Sequence, residues 1–188
     1  MNNIYFTSDL HFGHNREFIY SSRGFSSIEE HDKQIISNWN SIIDNNDIVY
    51  VLGDLMMSDN EYGMSCLKQL KGNIRVIRGN HDSATKWELY KTLDNFELIG
   101  WAEVIKYRKH NIYLSHHPTI TTNAEKTTHL REYLLSLFGH THSKDKFYNN
   151  IFTMYNVALD ANNNLPVHIE DILKSMRNKR DEITVALA

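Results

Sequence analysis

The chain alternates between short apolar runs and clusters of polar residues, and the apolar runs end in those clusters. The run at residues 74–77, for example, is closely followed by Gly79-Asn80-His81-Asp82. Short runs rich in Ile and Val are typical of buried strands. The same arrangement recurs after four more runs, at residues 4–7, 48–52, 112–114 and 134–138. The pattern therefore predicts five strands that each lead into polar side chains.

Helical periodicity separates the first three of these strands. Ser27 and Glu30 have the spacing of a capping box at the start of an apolar stripe, which predicts a helix there. Further helices are predicted over about residues 61–70 and 84–93. The order strand, helix, strand, helix, strand predicts a parallel sheet with right-handed crossovers. His31 lies off the stripe of the first helix, so we expect it to be a solvated surface imidazole.

From Leu98 onward, short strands with few helices favour a second, more antiparallel sheet packed on the first. A closing helix is predicted over about residues 168–176, followed by a polar tail. The chain has 188 residues, 41% of them hydrophobic, which is enough for one good core and too little for two ordinary domains. We therefore predict one α/β domain over residues 1–177 and a C-terminal tail over residues 178–188.

The polar clusters can converge on one site, because ligands of α/β sheets collect beyond the strand ends. Taken singly, each cluster has an ordinary structural explanation, such as a Gly-Asp turn, two faces of a strand end or a capping turn. Their joint occurrence directly after apolar runs favours a common site. The clusters supply imidazole, carboxylate and amide groups and no thiolate, a set that suits a hydrolytic metal site better than a structural zinc site.

In their order along the chain, these clusters resemble the motifs of the calcineurin-like metallophosphoesterases. The matching segments are Asp9-x-His11, Gly53-Asp54, Gly79-Asn80-His81-Asp82, His116 and Gly139-His140-Thr141-His142. The opening Asp9-Leu10-His11-Phe12-Gly13-His14-Asn15 is similar to that of a subgroup of small, single-domain phosphoesterases. The resemblance implies a four-layer α/β/β/α sandwich, in which two mixed β-sheets are flanked by helices.

The resemblance also implies two divalent metal ions held by seven side chains. The ligands would be Asp9, His11 and His142 for the first ion, Asn80, His116 and His140 for the second, and Asp54 as the bridge between them. Two divalent ions bring four positive charges, and two carboxylates with a bridging hydroxide remove three, so the centre stays near +1 and attracts a phosphate. The resemblance favours manganese, with iron, zinc or nickel as alternatives.

His81 follows a predicted ligand, and the resemblance implies that it faces the scissile phosphate as the general acid. Many relatives carry an acidic residue three positions after the bridging aspartate, where this chain has Met57. That acid supports the catalytic histidine in some members of the family. What orients His81 is therefore open, and Asp82 is one alternative.

Three more residues are predicted to contact substrate. His14 and Arg16 lie in the loop that follows the first metal motif, so their side chains can overhang the site. His116 and His117 are consecutive and would point to opposite sides of an extended strand. We expect His116 to bind metal and His117 to be turned away from the metals, where it supports a ligand or faces the substrate.

The predicted function is hydrolysis of a phosphodiester by attack of a metal-bridging hydroxide, with a nucleotide or cyclic nucleotide favoured as the substrate. A phosphomonoesterase or protein phosphatase on the same site is the alternative. A binding module that keeps the fold without the chemistry is disfavoured, because every ligand position is filled.

Composition narrows the partners and the compartment. The formal net charge is −3, so general nucleic-acid binding is not expected. No apolar run reaches the roughly 20 residues that a membrane span requires. The single cysteine, Cys66, is predicted to pack in the core and is compatible with a reducing compartment. We expect a cytoplasmic enzyme that acts on a small phosphorylated substrate.

Overall fold

The first sheet carries the strands that lead into the earliest polar motifs. The computed structural model describes residues 2–57, 59–121 and 129–186. The parallel strands are β1 (Ile4–Thr7), β2 (Ile48–Leu52), β3 (Asn73–Ile77) and β4 (Phe96–Gly100), arranged in the order β4-β3-β2-β1. The short strand at Val167–His168 adds antiparallel to the free edge of β1. The carboxyl ends of the four parallel strands therefore meet at one edge.

The second sheet is mixed and carries the later motifs. Its strands are β5 (Ala102–Tyr107), β6 (His110–Ser115), β7 (Leu134–Phe138) and β8 (Met154–Asn156). β5 pairs antiparallel with β6, whereas β6, β7 and β8 run parallel. Single 3₁₀ turns lie at Leu130–Glu132, Tyr148–Asn150 and Leu159–Ala161.

Five α-helices are present in the described part of the chain. They are α1 (Glu17–Tyr20), α2 (Ile28–Ile42), α3 (Asn60–Leu67), α4 (Ala84–Tyr90) and α5 (Ile169–Ala186). The predicted start of α2 is confirmed, because the Ser27 hydroxyl accepts a hydrogen bond from the Glu30 backbone N–H at 3.2 Å. No described helix is both long and apolar enough to cross a membrane.

Two hydrophobic clusters hold the layers together, and β2 separates them. Val49 and Val51 face a cluster shared with α2, α3 and α4, in which Trp39 is fully buried. Tyr50 and Leu52 point the other way, into a cluster shared by both sheets and α5. Strand residues alternate between faces, so one strand serves both clusters. The predicted α/β fold of two mixed sheets flanked by helices is confirmed.

The last helix is longer than predicted. α5 continues to Ala186, whereas the sequence pattern predicted a helix over residues 168–176 and a polar tail from residue 178. The apolar stripe does end at Met176, the last fully buried residue of the helix. Beyond it the helix is mostly polar and exposed, with an ion pair one turn apart between Lys179 and Glu182 at 3.5 Å. The domain boundary at residue 177 stays a prediction.

Candidate metal centre

The polar segments that follow the strands lie side by side, as predicted. The Asp9 backbone N–H donates to the Gly53 carbonyl at 3.0 Å, and the Gly139 N–H donates to the His116 carbonyl at 2.9 Å. The two sheets are joined at the same place, because the His140 N–H donates to an Asp9 carboxylate oxygen at 2.8 Å. The strand ends of both sheets therefore form one continuous floor.

The first group of possible metal ligands combines Asp9, His11 and His142. One ligand atom from each lies within 4.8 Å of the other two. The Oδ1 atom of Asp9 is 3.6 Å from Nε2 of His11 and 3.9 Å from Nε2 of His142. Two imidazoles and one carboxylate at this spacing can hold a divalent ion and leave positions open for other ligands.

The second group combines His116, His140 and Asn80, with Asp54 between the two groups. Nε2 of His116 is 2.9 Å from Oδ1 of Asn80 and 3.2 Å from Nδ1 of His140. The Oδ2 atom of Asp54 is 3.4 Å from Nε2 of His116 and 3.9 Å from Nε2 of His11 in the first group. A single carboxylate oxygen thus faces both groups. The structure brings all seven predicted ligands together.

Orphaned polar atoms show that these residues fit metal ions. Asp9 and His11 are buried, yet Oδ1 of Asp9 and both ring nitrogens of His11 have no hydrogen-bond partner among the described residues. A buried polar atom left without a partner costs about 1–3 kcal/mol, so natural proteins rarely tolerate several together. Nδ1 of His116 lies 2.7 Å from the Leu52 carbonyl, an arrangement that leaves the lone pair of Nε2 facing the site.

The backbone at the site is strained. Five of the seven predicted ligands have positive φ angles, namely Asp9 (60°), His11 (53°), Asp54 (57°), His140 (68°) and His142 (48°). Left-handed conformations are uncommon for residues with a Cβ, and each costs on the order of 1 kcal/mol. Such a concentration persists only where the surrounding structure fixes it, and it is typical of functional sites.

Two glycines permit the close approach of the strand ends. A Cβ on Gly79 would collide with the carboxylate of Asp54, and a Cβ on Gly139 would collide with Ser8 and with the carboxylate of Asp9. Because glycine lacks this atom, the segments can cross in contact. The carboxylates of Asp54 and Asp9 consequently pack directly against the backbone of Gly79 and Gly139.

The electrostatics of the cluster favour a cation. Burial by itself disfavours a charged carboxylate, but the nearby imidazoles of His11, His116 and His142 hold the pKa of Asp9 well below its ordinary value. Burial also opposes protonation of His116, yet the nearby carboxylates of Asp54 and Asp9 raise its pKa to about 9. The ligand set therefore attracts positive charge, which divalent ions can supply in place of protons.

The prediction that His117 is turned away from the metal ligands is wrong. Its ring centroid lies 4.4 Å from that of His140 and 5.0 Å from that of His116, and ligand atoms of the three lie within 4.8 Å of one another. The reason is that β6 ends at Ser115, whose hydroxyl donates to the His117 carbonyl at 2.9 Å. The chain turns there, so strand alternation does not extend to His117.

His81 borders the cluster, and its ring is not oriented by Asp82. The His81 side chain is 44% exposed, and its Nε2 atom lies 4.0 Å from Oδ2 of Asp54. The Asp82 carboxylate instead accepts hydrogen bonds from the backbone N–H groups of Asp54 and Gly79, both at 2.9 Å, and from the Tyr90 hydroxyl. Asp82 thus holds the backbone of the two motifs, and of the alternatives left open by the sequence, orientation of the His81 ring by Asp82 is not what the structure shows.

His14 and Arg16 lie near the first ligand group. The His14 ring centroid is 5.2 Å from that of His11. Burial and the charges of nearby His11 and His81 lower the pKa of His14 to about 4, so its imidazole is neutral at pH 7. Arg16 is exposed, and its charge contributes to this shift. Both predicted substrate contacts therefore border the site.

A buried polar network behind the site escaped the sequence analysis. His31 is fully buried, which contradicts the expectation of a solvated imidazole. Its Nδ1 atom lies 2.6 Å from Asp32 Oδ1, and its Nε2 atom lies 2.9 Å from Nη1 of Arg23. A polar residue off the apolar stripe of a helix can be buried when another segment supplies hydrogen-bond partners. Here the loop before α2 supplies Arg23.

Asp160 links this network to the metal ligands. Its carboxylate accepts two hydrogen bonds from Arg23, at 2.7 and 3.1 Å, and Nδ1 of His142 lies 3.2 Å from Oδ2. Arg23 also donates to the Asp9 carbonyl at 2.8 Å. A carboxylate that accepts from the second ring nitrogen of a ligating histidine fixes its orientation and tautomer.

We expect Asp160→Asn to weaken metal binding by about 10- to 100-fold, because the amide can present an N–H to His142 and loses the charge that pairs with Arg23. Calorimetric titration with Mn²⁺ measures the affinity directly. Asp181→Asn, on the exposed face of α5, is the matched control. Equal affinities for both variants and the unmodified protein would remove this role.

A mixed α/β sandwich with imidazoles and carboxylates gathered at its strand ends defines the class of metal-dependent phosphoester hydrolases. The chain belongs to the calcineurin-like phosphoesterase superfamily, whose domain model matches residues 3–157. The match includes all seven predicted metal ligands and His81. This family is metal-dependent, in agreement with the ligand groups found in the structure. Membership of the subgroup with the same opening motif stays a prediction.

Similar chains are found in archaea, phages and bacteria. An uncharacterized protein of Methanocaldococcus jannaschii is 33% identical over 178 residues, which cover 93% of this chain and 91% of that protein. The gene 66 protein of Mycobacterium phage L5 is 28% identical over 165 residues, covering 76% of this chain and 79% of the phage protein. A crystal structure of a protein of unknown function from Aquifex aeolicus has a TM-score of 0.72 at 22% identity. That match covers 93% of this chain and 99% of the other, and it shows the shared fold.

Proposed function

We propose that this chain is a phosphodiesterase with two divalent metal ions, and that its substrate is a nucleotide or cyclic nucleotide. The observation that carries the proposal is the position of Asp54, whose Oδ2 atom faces one ligand group at 3.9 Å and the other at 3.4 Å. A carboxylate shared between two ligand sets can hold two ions close together, which is what two-metal hydrolysis needs. We favour manganese, with iron, zinc or nickel as alternatives.

The ions would supply Lewis-acid charge and lower the pKa of a bound water. The side chains supply position. Asn80 is a neutral amide in the second group, so the ligand set itself carries only the charges of Asp9 and Asp54. An anionic phosphate is then attracted by the positive charge that the carboxylates leave unbalanced. A third carboxylate at position 80 would cancel that attraction.

His81 is proposed to protonate the leaving oxygen. Its backbone N–H donates to Oδ1 of Asp54 at 2.8 Å, which fixes the residue beside the proposed bridge. Its side chain is 44% exposed, so a substrate can reach it. A protonated imidazole at this place can donate a proton to the leaving oxygen, which is the role of a general acid.

The surroundings of the ligand groups favour a diester over a monoester. A monoester presents nearly two negative charges and a diester presents one, so a monoester specialist needs additional cations. His14, with its pKa of about 4, is neutral. Arg23 is bound to Asp160, and Arg78 donates to the Asp82 carbonyl at 2.7 Å. In the loop that follows Asp9 and His11, Arg16 is then the permanently charged side chain that stays available to substrate.

A substrate panel on manganese-reconstituted protein tests the proposal. We expect a bis-aryl phosphate or a cyclic nucleotide to have a higher kcat/KM than the matching monoester. Monoesters favoured by tenfold or more would replace the proposal by the alternative, a phosphomonoesterase or protein phosphatase on the same site. Absence of any metal-dependent turnover would favour a binding module.

Arg16→Ala should separate the two substrate types. We expect it to lower kcat/KM for monoesters by about fivefold, as loss of an exposed charged contact costs on the order of 1 kcal/mol, and to change diester hydrolysis less than about twofold. Arg131→Ala, which removes an exposed arginine from a 3₁₀ turn remote from the loop, is the control. Equal losses on both substrates would mean that Arg16 does not bind the second negative charge of a monoester.

A further inference from the structure

Trp101 occupies the seam between the two sheets and is 63% exposed. The residue before it, Gly100, ends β4 and pairs with Ile77 of β3. The residue after it, Ala102, begins β5 and pairs with Ser115 of β6. The neighbours of Trp101 therefore pair with β3 and β6, the two strands that lead into Asn80 and His116 of the proposed metal centre.

The pairing register places Trp101 beside the second ligand group. Ala102 and Ser115 form the last pair of the ladder between β5 and β6, so Trp101 and His116 are the residues adjoining that pair, and neighbouring strands lie about 4.8 Å apart. On the other side, the Arg78 N–H donates to the Gly100 carbonyl at 2.6 Å, and Arg78 is two residues from Asn80. Trp101 thus adjoins two strand ends, β3 and β6, that lead into Asn80 and His116 of the second ligand group.

The indole is held in place by Arg78. The Cζ atom of Arg78 lies 4.8 Å from the centroid of the Trp101 ring and 5.6 Å from that of Trp87. The guanidinium is itself fixed, since its Nε–H donates to the Asp82 carbonyl at 2.7 Å. A cation packed on the indole leaves much of the ring open to solvent, and its fixed partner reduces the entropy lost when a ligand stacks there.

We propose that Trp101 is the platform on which the base of a nucleotide substrate stacks while its phosphate occupies the metal centre. This inference rests on the proposed function and names the part of the substrate that the chain recognises. Single exposed aromatic residues are common and need no explanation by themselves. The position of this one at the rim of the ligand groups, with a cation fixed against it, assigns it to substrate. Stacking tolerates any base, because every base has a π face.

The test compares two diesters with the same leaving group, the p-nitrophenyl esters of thymidine 5′-phosphate and of methyl phosphate. Trp101→Ala should lower kcat/KM about tenfold or more for the nucleoside ester and less than about twofold for the methyl ester. Trp101→Phe should recover most of the loss. The fold should survive, because Arg78 keeps Trp87 and the Asp82 carbonyl as partners. Val104→Ala, which truncates an exposed apolar side chain three residues along β5, is the matched control.

Each outcome has a distinct meaning. Equal losses on both esters, or none, would overturn the platform and leave the phosphodiesterase proposal intact. If the unmodified protein hydrolyses neither ester, the proposed function fails. Nucleotide binding then tests separately whether Trp101 stacks on a base. Adenosine monophosphate added to the manganese-loaded protein should quench tryptophan fluorescence, and Trp101→Phe should remove that change. Nucleotide binding with an unaltered quench in Trp101→Phe, or no quench up to millimolar nucleotide, overturns the inference.

Discussion

Asp54→Ala is expected to reduce kcat/KM by about 10³-fold or more, which corresponds to roughly 4 kcal/mol of lost transition-state stabilisation. The reason is geometric. Oδ2 of Asp54 faces His11 in one ligand group and His116 in the other, so its removal weakens both groups. The substitution also removes Oδ1, which accepts a hydrogen bond from the His81 backbone N–H at 2.8 Å. Elemental analysis after saturation with manganese should show that both ions are depleted.

Asp94→Ala is the matched control for this experiment. Asp94 is an exposed carboxylate just before β4, at the end of the first sheet away from the metal ligands. It should keep the metal content and activity of the unmodified protein. An active unmodified protein that holds a single ion at saturation would contradict the two-metal proposal. An Asp54→Ala variant that still holds two ions would contradict the bridging role of Asp54 and leave the two-metal proposal standing.

The strand exits could be predicted from the sequence because two local rules act together. Apolar runs such as residues 48–52 and 74–77 must be buried, and the carboxyl ends of parallel strands share one edge of a sheet. Polar residues that follow such runs are thereby brought together, whatever the intervening helices do. This is why Asp54 and Asn80 lie at one site although a helix separates them in the chain.

Burial of polar residues could not be predicted in the same way. His31 lies off an apolar stripe, and by periodicity such a position faces water. Its burial depends on Arg23, whose own carboxylate partner, Asp160, lies 137 positions further along the chain. No local pattern encodes a network of this range. A ligating histidine usually has a hydrogen-bond partner on its second ring nitrogen, so a carboxylate beside His142 could be expected, although its position in the sequence could not.

The turn at His117 and the length of α5 escaped prediction for a different reason. Both depend on where an element ends, and the hydrophobic pattern marks only the buried part of an element. β6 ends at Ser115, so alternation does not reach the histidines. α5 outlasts its apolar stripe by ten residues, from Met176 to Ala186, because helix-forming polar residues continue it.

Replacement of His81 has the second of the two largest expected effects. We expect His81→Ala to keep both metal ions, since His81 is absent from the groups of possible ligands found among the described residues. Its Nε2 atom nevertheless lies 4.0 Å from Oδ2 of Asp54, at the border of the proposed centre. A general acid at this place contributes about 10²- to 10⁴-fold in rate when the leaving group is a poor one.

The size of the loss should therefore depend on the leaving group. Diesters with an alkoxide-like leaving group need the proton, and His81→Ala should lose most of its kcat on them. The leaving groups of activated aryl esters depart without protonation, so kcat on these esters should fall much less. His129→Ala, which removes an exposed histidine on the far side of the second sheet, should change neither rate. Equal losses from His81→Ala on both kinds of ester would exclude proton transfer and leave His81 as a group that stabilises charge on the phosphate.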